Sequence, residues 1–336
     1  MRIAINGFGR IGRVFFRQAF IHEGIEITAV NDLGDIESLS YLLRFDSVYG
    51  RYEKHVEIDK EKHALIVDGR EIQFFQEKEP QKLPWRDLGI DIVVESTGIF
   101  TSSEKAKLHL DAGAKRVVIT APVKDEGIPM VTPNVGIETL HAGQISSNAS
   151  CTTNATTPVV AILMQSLGIQ KAMLSTVHGY TATQSLVDSA VPKDFLRGRA
   201  ASQNIVPSST GAAESVYRVI PELKGLFDGL AMRVPVISGS IIDLTFLAKR
   251  KTSVQEVNNI LRNAAKSPEW QGIIAVTEEP FVSTDILGQP LGSIVDLSLT
   301  RVVDGDLVKV CAWYDNEWGY CAMLIKHIER LKSLLT

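Results

Sequence analysis

The sequence predicts an α/β protein in two parts. The first is a mainly parallel sheet covered by helices on both faces. The second is an α+β part built on a mostly antiparallel sheet. Three observations predict this division. Strand and helix patterns alternate through the first third of the chain, as in a parallel sheet with helical crossovers. Near residue 150 the texture changes, and Ser146 to Asn154 is almost wholly small and polar. Further on, apolar and polar positions alternate in Ala231 to Leu247, Gly292 to Thr300 and Leu307 to Tyr314, as strands with one buried face require.

The elements follow in order. Arg2 to Asn6 reads as a short apolar strand, and Ile11 to Ala19 as a helix with Ile11, Val14, Phe15 and Ala19 on one side. Ile25 to Val30 is a second strand ending at Asn31-Asp32, and Ile36 to Leu43 is helical. Between His55 and Phe75 the strands are short, with the hairpin dipeptide Asp68-Gly69 between two of them. Asp91 to Ser96 and Arg116 to Thr120 are buried strands flanking a polar-faced helix, Ser103 to Ala112. Beyond residue 150 come an apolar helix over Val159 to Leu167 and a strand over Ala172 to Val177. Tyr180 to Gln203 has little periodicity, and loops of that length are commonly functional or interfacial. Val254 to Ala265 is an interposed helix, and Ala322 to Leu335 an amphipathic terminal one.

The chain has 336 residues, enough for about two domains. Its formal charge of −4 does not favour nucleic acid or a membrane surface as a partner. The three cysteines, Cys151, Cys311 and Cys321, form neither a disulfide framework nor a zinc motif, which fits a reducing compartment. A strand pattern starts at the first residues, and no apolar run approaches the ~20 residues of a membrane helix. A soluble, cytoplasmic protein is expected.

Gly7, Gly9 and Gly12 form G-x-G-x-x-G after a strand and at the mouth of a helix. Side chains there would obstruct the turn and keep a pyrophosphate from the helix N-terminus. Asp32 lies 20 residues after Gly12, where a carboxylate meets ribose hydroxyls and repels a 2′-phosphate. The first part is therefore expected to be a Rossmann-type dinucleotide-binding domain that prefers NAD. The competing reading is a glycine-rich turn with a capping aspartate.

The second signal is S-N-A-S-C-T-T-N, Ser147 to Asn154. A cysteine among small polar residues at a helix start is a candidate nucleophile, because the helix N-terminus stabilises a thiolate. Pro158 leaves two possibilities: a helix starting near Pro158, or one starting near Cys151 and kinked. His178 follows Cys151 by 27 residues. A helix from Cys151 to Leu167 would run out roughly 25 Å. A strand from Lys171 to His178 would return about as far, bringing the two residues together.

With these residues in view, the chain resembles the glyceraldehyde-3-phosphate dehydrogenases over essentially its whole length. The resemblance rests on I-N-G-F-G-R-I-G (Ile5 to Gly12), N-D-L (Asn31 to Leu33), E-S-T-G (Glu95 to Gly98), S-N-A-S-C-T-T-N, P-S-S-T-G-A-A (Pro207 to Ala213), M-R-V-P (Met232 to Pro235) and W-Y-D-N-E-W-G-Y (Trp313 to Tyr320). It implies Cys151 as nucleophile and His178 as base and acid. Arg233 and Thr181 would hold the phosphate of glyceraldehyde 3-phosphate. Ser150, Thr152, Thr210 and Gly211 would hold the attacking inorganic phosphate, with Arg197 near both; by spacing Arg199 competes with Arg197. Gly7, Gly9, Arg10, Ile11, Gly12, Asp32, Thr97, Thr120 and Asn316 would line the NAD site, and Tyr320 would lie near the nicotinamide. It further implies a homotetramer, and a division into residues 1–150 with 316–336 (NAD-binding) and 151–315 (catalytic).

The implied reaction is the phosphorylating oxidation of glycolysis and gluconeogenesis, by way of a hemithioacetal and a thioester on Cys151. Two departures stand out. Ala155 occupies a position where many members carry a second cysteine. Val187-Asp188-Ser189-Ala190 resembles members that accept NADP, against the indication of Asp32. The rivals are an erythrose-4-phosphate dehydrogenase, which would need no phosphate, an aspartate-semialdehyde-type dehydrogenase, and a non-enzymatic dinucleotide-binding scaffold.

Overall fold

A computed structural model describes residues 1–335, which divide into two compact units. The first comprises Met1–Val131, Ile137–Ala149 and the chain from Leu324 onward; the second comprises Thr132–Gly136 and Ser150–Met323.

In the first unit the strands are β1 (Arg2–Asn6), β2 (Glu26–Asn31), the short pair β3 (Phe45–Asp46) and β4 (Gly50–Arg51), β5 (Val56–Asp59), β6 (Ala64–Val67), β7 (Arg70–Phe75), β8 (Ile92–Glu95), β9 (Arg116–Ile119) and β10 (Ile145–Ser147). Its helices are α1 (Arg10–Ala19), α2 (Ile36–Arg44) and α3 (Ser103–Asp111). The main sheet runs β10-β9-β8-β1-β2-β7-β6-β5. Pairing is parallel from β10 to β7 and antiparallel across β7-β6-β5. The central strands are apolar on both faces, as a doubly covered sheet demands: Ile3, Ala4, Ile5, Ile92, Val93 and Val94 are wholly buried. Asp68 and Gly69 turn the β6–β7 hairpin with φ of 46° and 78°, the paired positive values of a type I′ turn.

The second unit holds α4 (Cys151–Leu167), β11 (Ile169–Gly179), β12 (Val206–Ser209), α5 (Ala212–Val219), β13 (Phe227–Val234), β14 (Ser240–Ala248), α6 (Val254–Lys266), β15 (Ile274–Thr277), β16 (Ser293–Val303), β17 (Leu307–Tyr314) and the start of α7 (Trp318–Leu331). Its sheet runs β12-β13-β11-β14-β17-β16-β15, with β11-β13 and β15-β16 parallel and the other pairs antiparallel. Leu174, Ile242, Leu244, Phe246, Val308 and Val310 form its buried face. From Tyr180 to Ile205 there is neither helix nor strand.

The structure refines the reading at three places. The helix of the cysteine region starts at Cys151, and Pro158 sits inside it. The terminal helix begins at Trp318 rather than Ala322. The compact first unit takes up the chain again from Leu324, and the Asn316 side chain is engaged by Ser238, Gly239 and Ser240 of the second unit.

Candidate active site

In the first unit, the turn after β1 lies at the centre of the sheet, where strand order reverses and ligands of such folds bind. Each glycine has a distinct role there. Gly7 takes φ of 95°, and a Cβ on it would lie 2.7 Å from the Thr97 amide nitrogen. A Cβ on Gly12 would lie 2.1 Å from the Gly7 carbonyl oxygen. A Cβ on Gly9, the N-cap of α1, would meet no atom within 4 Å. Gly7 and Gly12 thus serve the packing of the chain itself, whereas Gly9 leaves a clear approach to the start of α1 that fits a pyrophosphate.

Asp32 closes the same turn. Its carboxylate accepts the Phe8 N–H at 2.6 Å and the Gly34 N–H at 2.8 Å. Thr97 is held by the buried Glu95, whose Oε1 accepts the Thr97 N–H at 2.8 Å and also its hydroxyl. Asn6 and His109 contact the other oxygen of Glu95. The Thr120 hydroxyl donates to the Glu95 carbonyl at 3.1 Å. Arg10 pairs with the buried carboxylate of Asp46 and lies over the Tyr49 ring. Ile11 lies in the first turn of α1.

In the second unit, Ser150 caps α4 by accepting the Thr153 N–H at 3.1 Å, which sets Cys151 in the first turn. Ala149 makes the bend into the helix with φ of 55°. β11 returns His178 so that its Nε2 is 3.4 Å from Cys151 Sγ. On its other side, His178 Nδ1 is 2.6 Å from the Gly179 carbonyl and 2.5 Å from Arg233 Nη1. Arg233 comes to that place because β13 pairs with β11 in the register His178 opposite Arg233.

Burial depresses His178 to about 3, with the Arg233 charge acting the same way and the Gly179 carbonyl opposing. The imidazole is therefore neutral at pH 7. Burial also pushes the Cys151 thiol up, against the Arg233 charge, the Thr152 hydroxyl and the N–H groups of Thr152 and Cys151. The helix start does favour the thiolate as expected, but desolvation outweighs it. The site therefore holds a neutral thiol facing a neutral imidazole.

The remaining expected residues separate into two groups. Thr181 lies two residues beyond Gly179, and its hydroxyl contacts that of Thr183 at 2.9 Å. Arg197 pairs with Asp194, and its charge is felt at Arg233. Arg199 instead pairs with Asp188. The sheet register does not bring Thr210 and Gly211 to the Arg233 level. Val206 stands opposite Arg233 and Ser209 opposite Leu230, so the pair follows the far end of β12 and caps α5. The Thr152 hydroxyl contacts Tyr314 at 2.9 Å. Tyr320 is buried in the first turn of α7.

Comparison with known proteins agrees with this geometry. A family model described as the glyceraldehyde 3-phosphate dehydrogenase NAD binding domain matches residues 1–103, and one for the C-terminal domain matches residues 150–316. The chain is 46% identical to a glyceraldehyde-3-phosphate dehydrogenase of Borreliella burgdorferi, covering 98% of this chain and 99% of the relative. It is 48% identical to glyceraldehyde-3-phosphate dehydrogenase 2 of Streptomyces arenae, covering 97% and 96%. It is 47% identical to the Geobacillus stearothermophilus protein of that name, covering 95% of each. The chain belongs to the glyceraldehyde-3-phosphate dehydrogenase family. It is accordingly an NAD-dependent oxidoreductase.

Side chains that the sequence did not single out pack around the Cys151–His178 pair. The Tyr314 hydroxyl sits 2.9 Å from that of Thr152 and 2.8 Å from that of Thr176, and its ring meets the His178 ring edge-on at 5.9 Å. Ser240, cross-strand partner of both His178 and Tyr314, bonds Gly179 and Asn316. Tyr314 lies inside the W-Y-D-N-E-W-G-Y motif, so the motif held a signal for it. Ser240 had none, because only the strand register brings it to His178.

Proposed function

We propose that this dehydrogenase oxidises glyceraldehyde 3-phosphate to 1,3-bisphosphoglycerate, with Cys151 as nucleophile, His178 as proton carrier and inorganic phosphate as acyl acceptor. The observation that carries the reading is the 3.4 Å approach of His178 Nε2 to a cysteine in the first turn of α4.

For a base at Nε2, the ring proton must sit on Nδ1, where it donates to the Gly179 carbonyl, and Arg233 Nη1, itself only a donor, must draw back from its contact with Nδ1. Arg233 Nη1 also donates to that carbonyl, at 3.2 Å. Nε2 then takes the thiol proton as Sγ attacks the aldehyde carbon, and hands it to the new oxyanion, giving a hemithioacetal. It takes the proton again as the carbon gives up hydride and the thioester forms. NAD supplies the hydride acceptor when bound. Phosphate attacks the thioester carbon, the Cys151 thiolate leaves, and an acyl phosphate is released.

Two anion sites serve this sequence. Arg233 and Thr181 bind the substrate phosphate by charge and hydroxyl donation, with Arg197 near both anions. Ser150, Thr152, Thr210 and Gly211 are proposed for the attacking phosphate. Gly7, Gly9, Arg10, Ile11, Gly12, Asp32, Thr97, Thr120, Asn316 and Tyr320 are proposed for NAD. The deciding assay is NADH formation from NAD and glyceraldehyde 3-phosphate with and without phosphate. Turnover that requires phosphate is expected; turnover indifferent to it would mean that water resolves the thioester.

The proposal extends to a cytoplasmic homotetramer. Among the described residues no disulfide joins Cys151, Cys311 and Cys321, which suits a reducing compartment. In the second unit, Met173 and Val177 of β11 and Leu230 and Met232 of β13 stand exposed on one face of the sheet, with Val177 directly opposite Met232. Such apolar faces are characteristic of association surfaces. Sedimentation equilibrium tests the assembly, and a monomer at micromolar concentration would refute it.

A further inference from the structure

Resting on the reading of the site given above, we propose that Ser240 is a positioning residue that ties the Cys151–His178 pair to Asn316 and fixes how Asn316 holds the nicotinamide carboxamide. Ser240 opens β14 and is buried, with 2% of its surface exposed. Its hydroxyl oxygen accepts the Gly179 N–H at 3.3 Å and its O–H donates to Asn316 Oδ1 at 3.0 Å. Gly179 is the residue whose carbonyl faces His178 Nδ1. One hydroxyl and one peptide therefore separate the proton carrier from the Asn316 amide.

The orientation of that amide is settled by its partners. Gly239 N–H lies 3.0 Å from the atom assigned as Asn316 Oδ1, and a backbone N–H can only donate, so the atom is the oxygen. Ser238 adds a third donor at 3.4 Å. Gly239 reaches this position with φ of 92°, and a Cβ on it would lie 2.5 Å from the Ser283 carbonyl. With Oδ1 engaged three times, Asn316 offers Nδ2, which has no partner among the described residues. Two amide N–H donors call for a carbonyl acceptor. The dinucleotide carries one at its reacting end, the carboxamide oxygen, and Asn316 is joined to the residues that act at that end. The carboxamide is also what distinguishes the two edges of the pyridinium ring. Holding it stops the ring from turning about its glycosidic bond and so fixes which face receives hydride.

The alternative is a buried serine that does no more than satisfy its neighbours, whose loss would lower stability alone. The experiment compares wild type, S240A and S240T, each also in an Asn316→Ala background. NAD affinity is measured by calorimetry without substrate. Hydride stereochemistry is read by NMR of the deuterated NADH formed from glyceraldehyde 3-phosphate labelled at C1. Loss of the serine bond in S240A is expected to weaken NAD binding about five- to tenfold. It is also expected to yield a measurable share of the opposite NADH diastereomer, with S240T close to wild type. In the Asn316→Ala background the S240A effect on affinity should shrink to less than about twofold, since the serine acts through the amide. If S240A does not fold, Ser240→Cys carries the same test, keeping the volume with a weaker donor. An active wild type with S240A unchanged in affinity and stereochemistry overturns the proposal alone, as does an undiminished S240A effect without Asn316. A wild type inert toward glyceraldehyde 3-phosphate overturns the site reading with it.

Discussion

At the scale of single residues, the glycine turn makes a contrast that local sequence could not. The spacing of Gly7, Gly9 and Gly12 was readable; which glycine serves the chain and which leaves room for a ligand was not. A Cβ on Gly12 collides with the Gly7 carbonyl, whereas one on Gly9 meets nothing. Gly12→Ala should therefore lower the thermal midpoint by several degrees, by backbone displacement. Gly9→Ala should leave the midpoint within about a degree and weaken NAD binding at least tenfold, because the methyl intrudes only when pyrophosphate is present. Melting curves with and without NAD check both; equal loss of stability in the two variants would reject the distinction. The approach of Cys151 to His178 was legible for a related reason. Cys151 and His178 are joined by one helix and one strand whose lengths can be counted. Ser240 and Tyr314 depend on cross-strand register, which arises only when distant segments pair.

At the scale of elements, α4 decides the reactivity of the site. Its first turn is drawn to Cys151 by the Ser150 cap, and Pro158 is accommodated inside it. The proline removes one helical donor. The hydroxyls of Thr156 and Thr157 donate to the carbonyls of Thr152 and Thr153, tying side chains of this segment to its own backbone. The pattern of small polar residues therefore masked a helix start that periodicity alone placed later. One turn beyond Cys151 sits Ala155, wholly buried, and Cys311 and Cys321 are also buried. Peroxide should therefore carry Cys151 through sulfenic to sulfinic acid without an internal disulfide. Mass mapping of the oxidised protein would show this; a peptide linking Cys151 to another cysteine of the same chain would contradict it. Likewise Thr210 and Gly211 were named from their motif. The register of β12 places Ser209 opposite Leu230, so Thr210 and Gly211 follow beyond that level rather than at Arg233, a separation no motif encodes.

At the scale of the molecule, two buried histidines give the fold an acid weakness. His178 and His327 are each depressed to about 3 by burial, with Arg233 adding to the effect at His178. His327 meets Ser146 and Asn148 through its two ring nitrogens. Their folded values lie below the unfolded value of about 6.5, so the unfolded chain binds more protons between about pH 6.5 and 3. Stability from this source is present above pH 6.5 and declines as pH falls, each histidine approaching about 1.4 kcal/mol per pH unit. Thermal midpoints measured from pH 7.5 to 4.5 should fall steeply below 6.5, and His327→Gln should flatten the slope. A midpoint unchanged across that range would show that these residues are not held neutral. The two-part α/β architecture was visible from strand and helix periodicity. The short strand β12 and helix α5 were not, since neither is long enough to establish a period.

The out-and-back path from Cys151 along α4 and home along β11 also limits how such a chain can change through evolution. An inserted residue in β11 would turn His178 to the opposite face of the sheet, because strand side chains alternate. One in α4 would rotate Cys151 by about 100° around the helix axis. Neither error can be corrected by a point substitution elsewhere. Length variation among descendants of this sequence should therefore gather in the stretch from Tyr180 to Ile205 and avoid the stretch from Cys151 to His178.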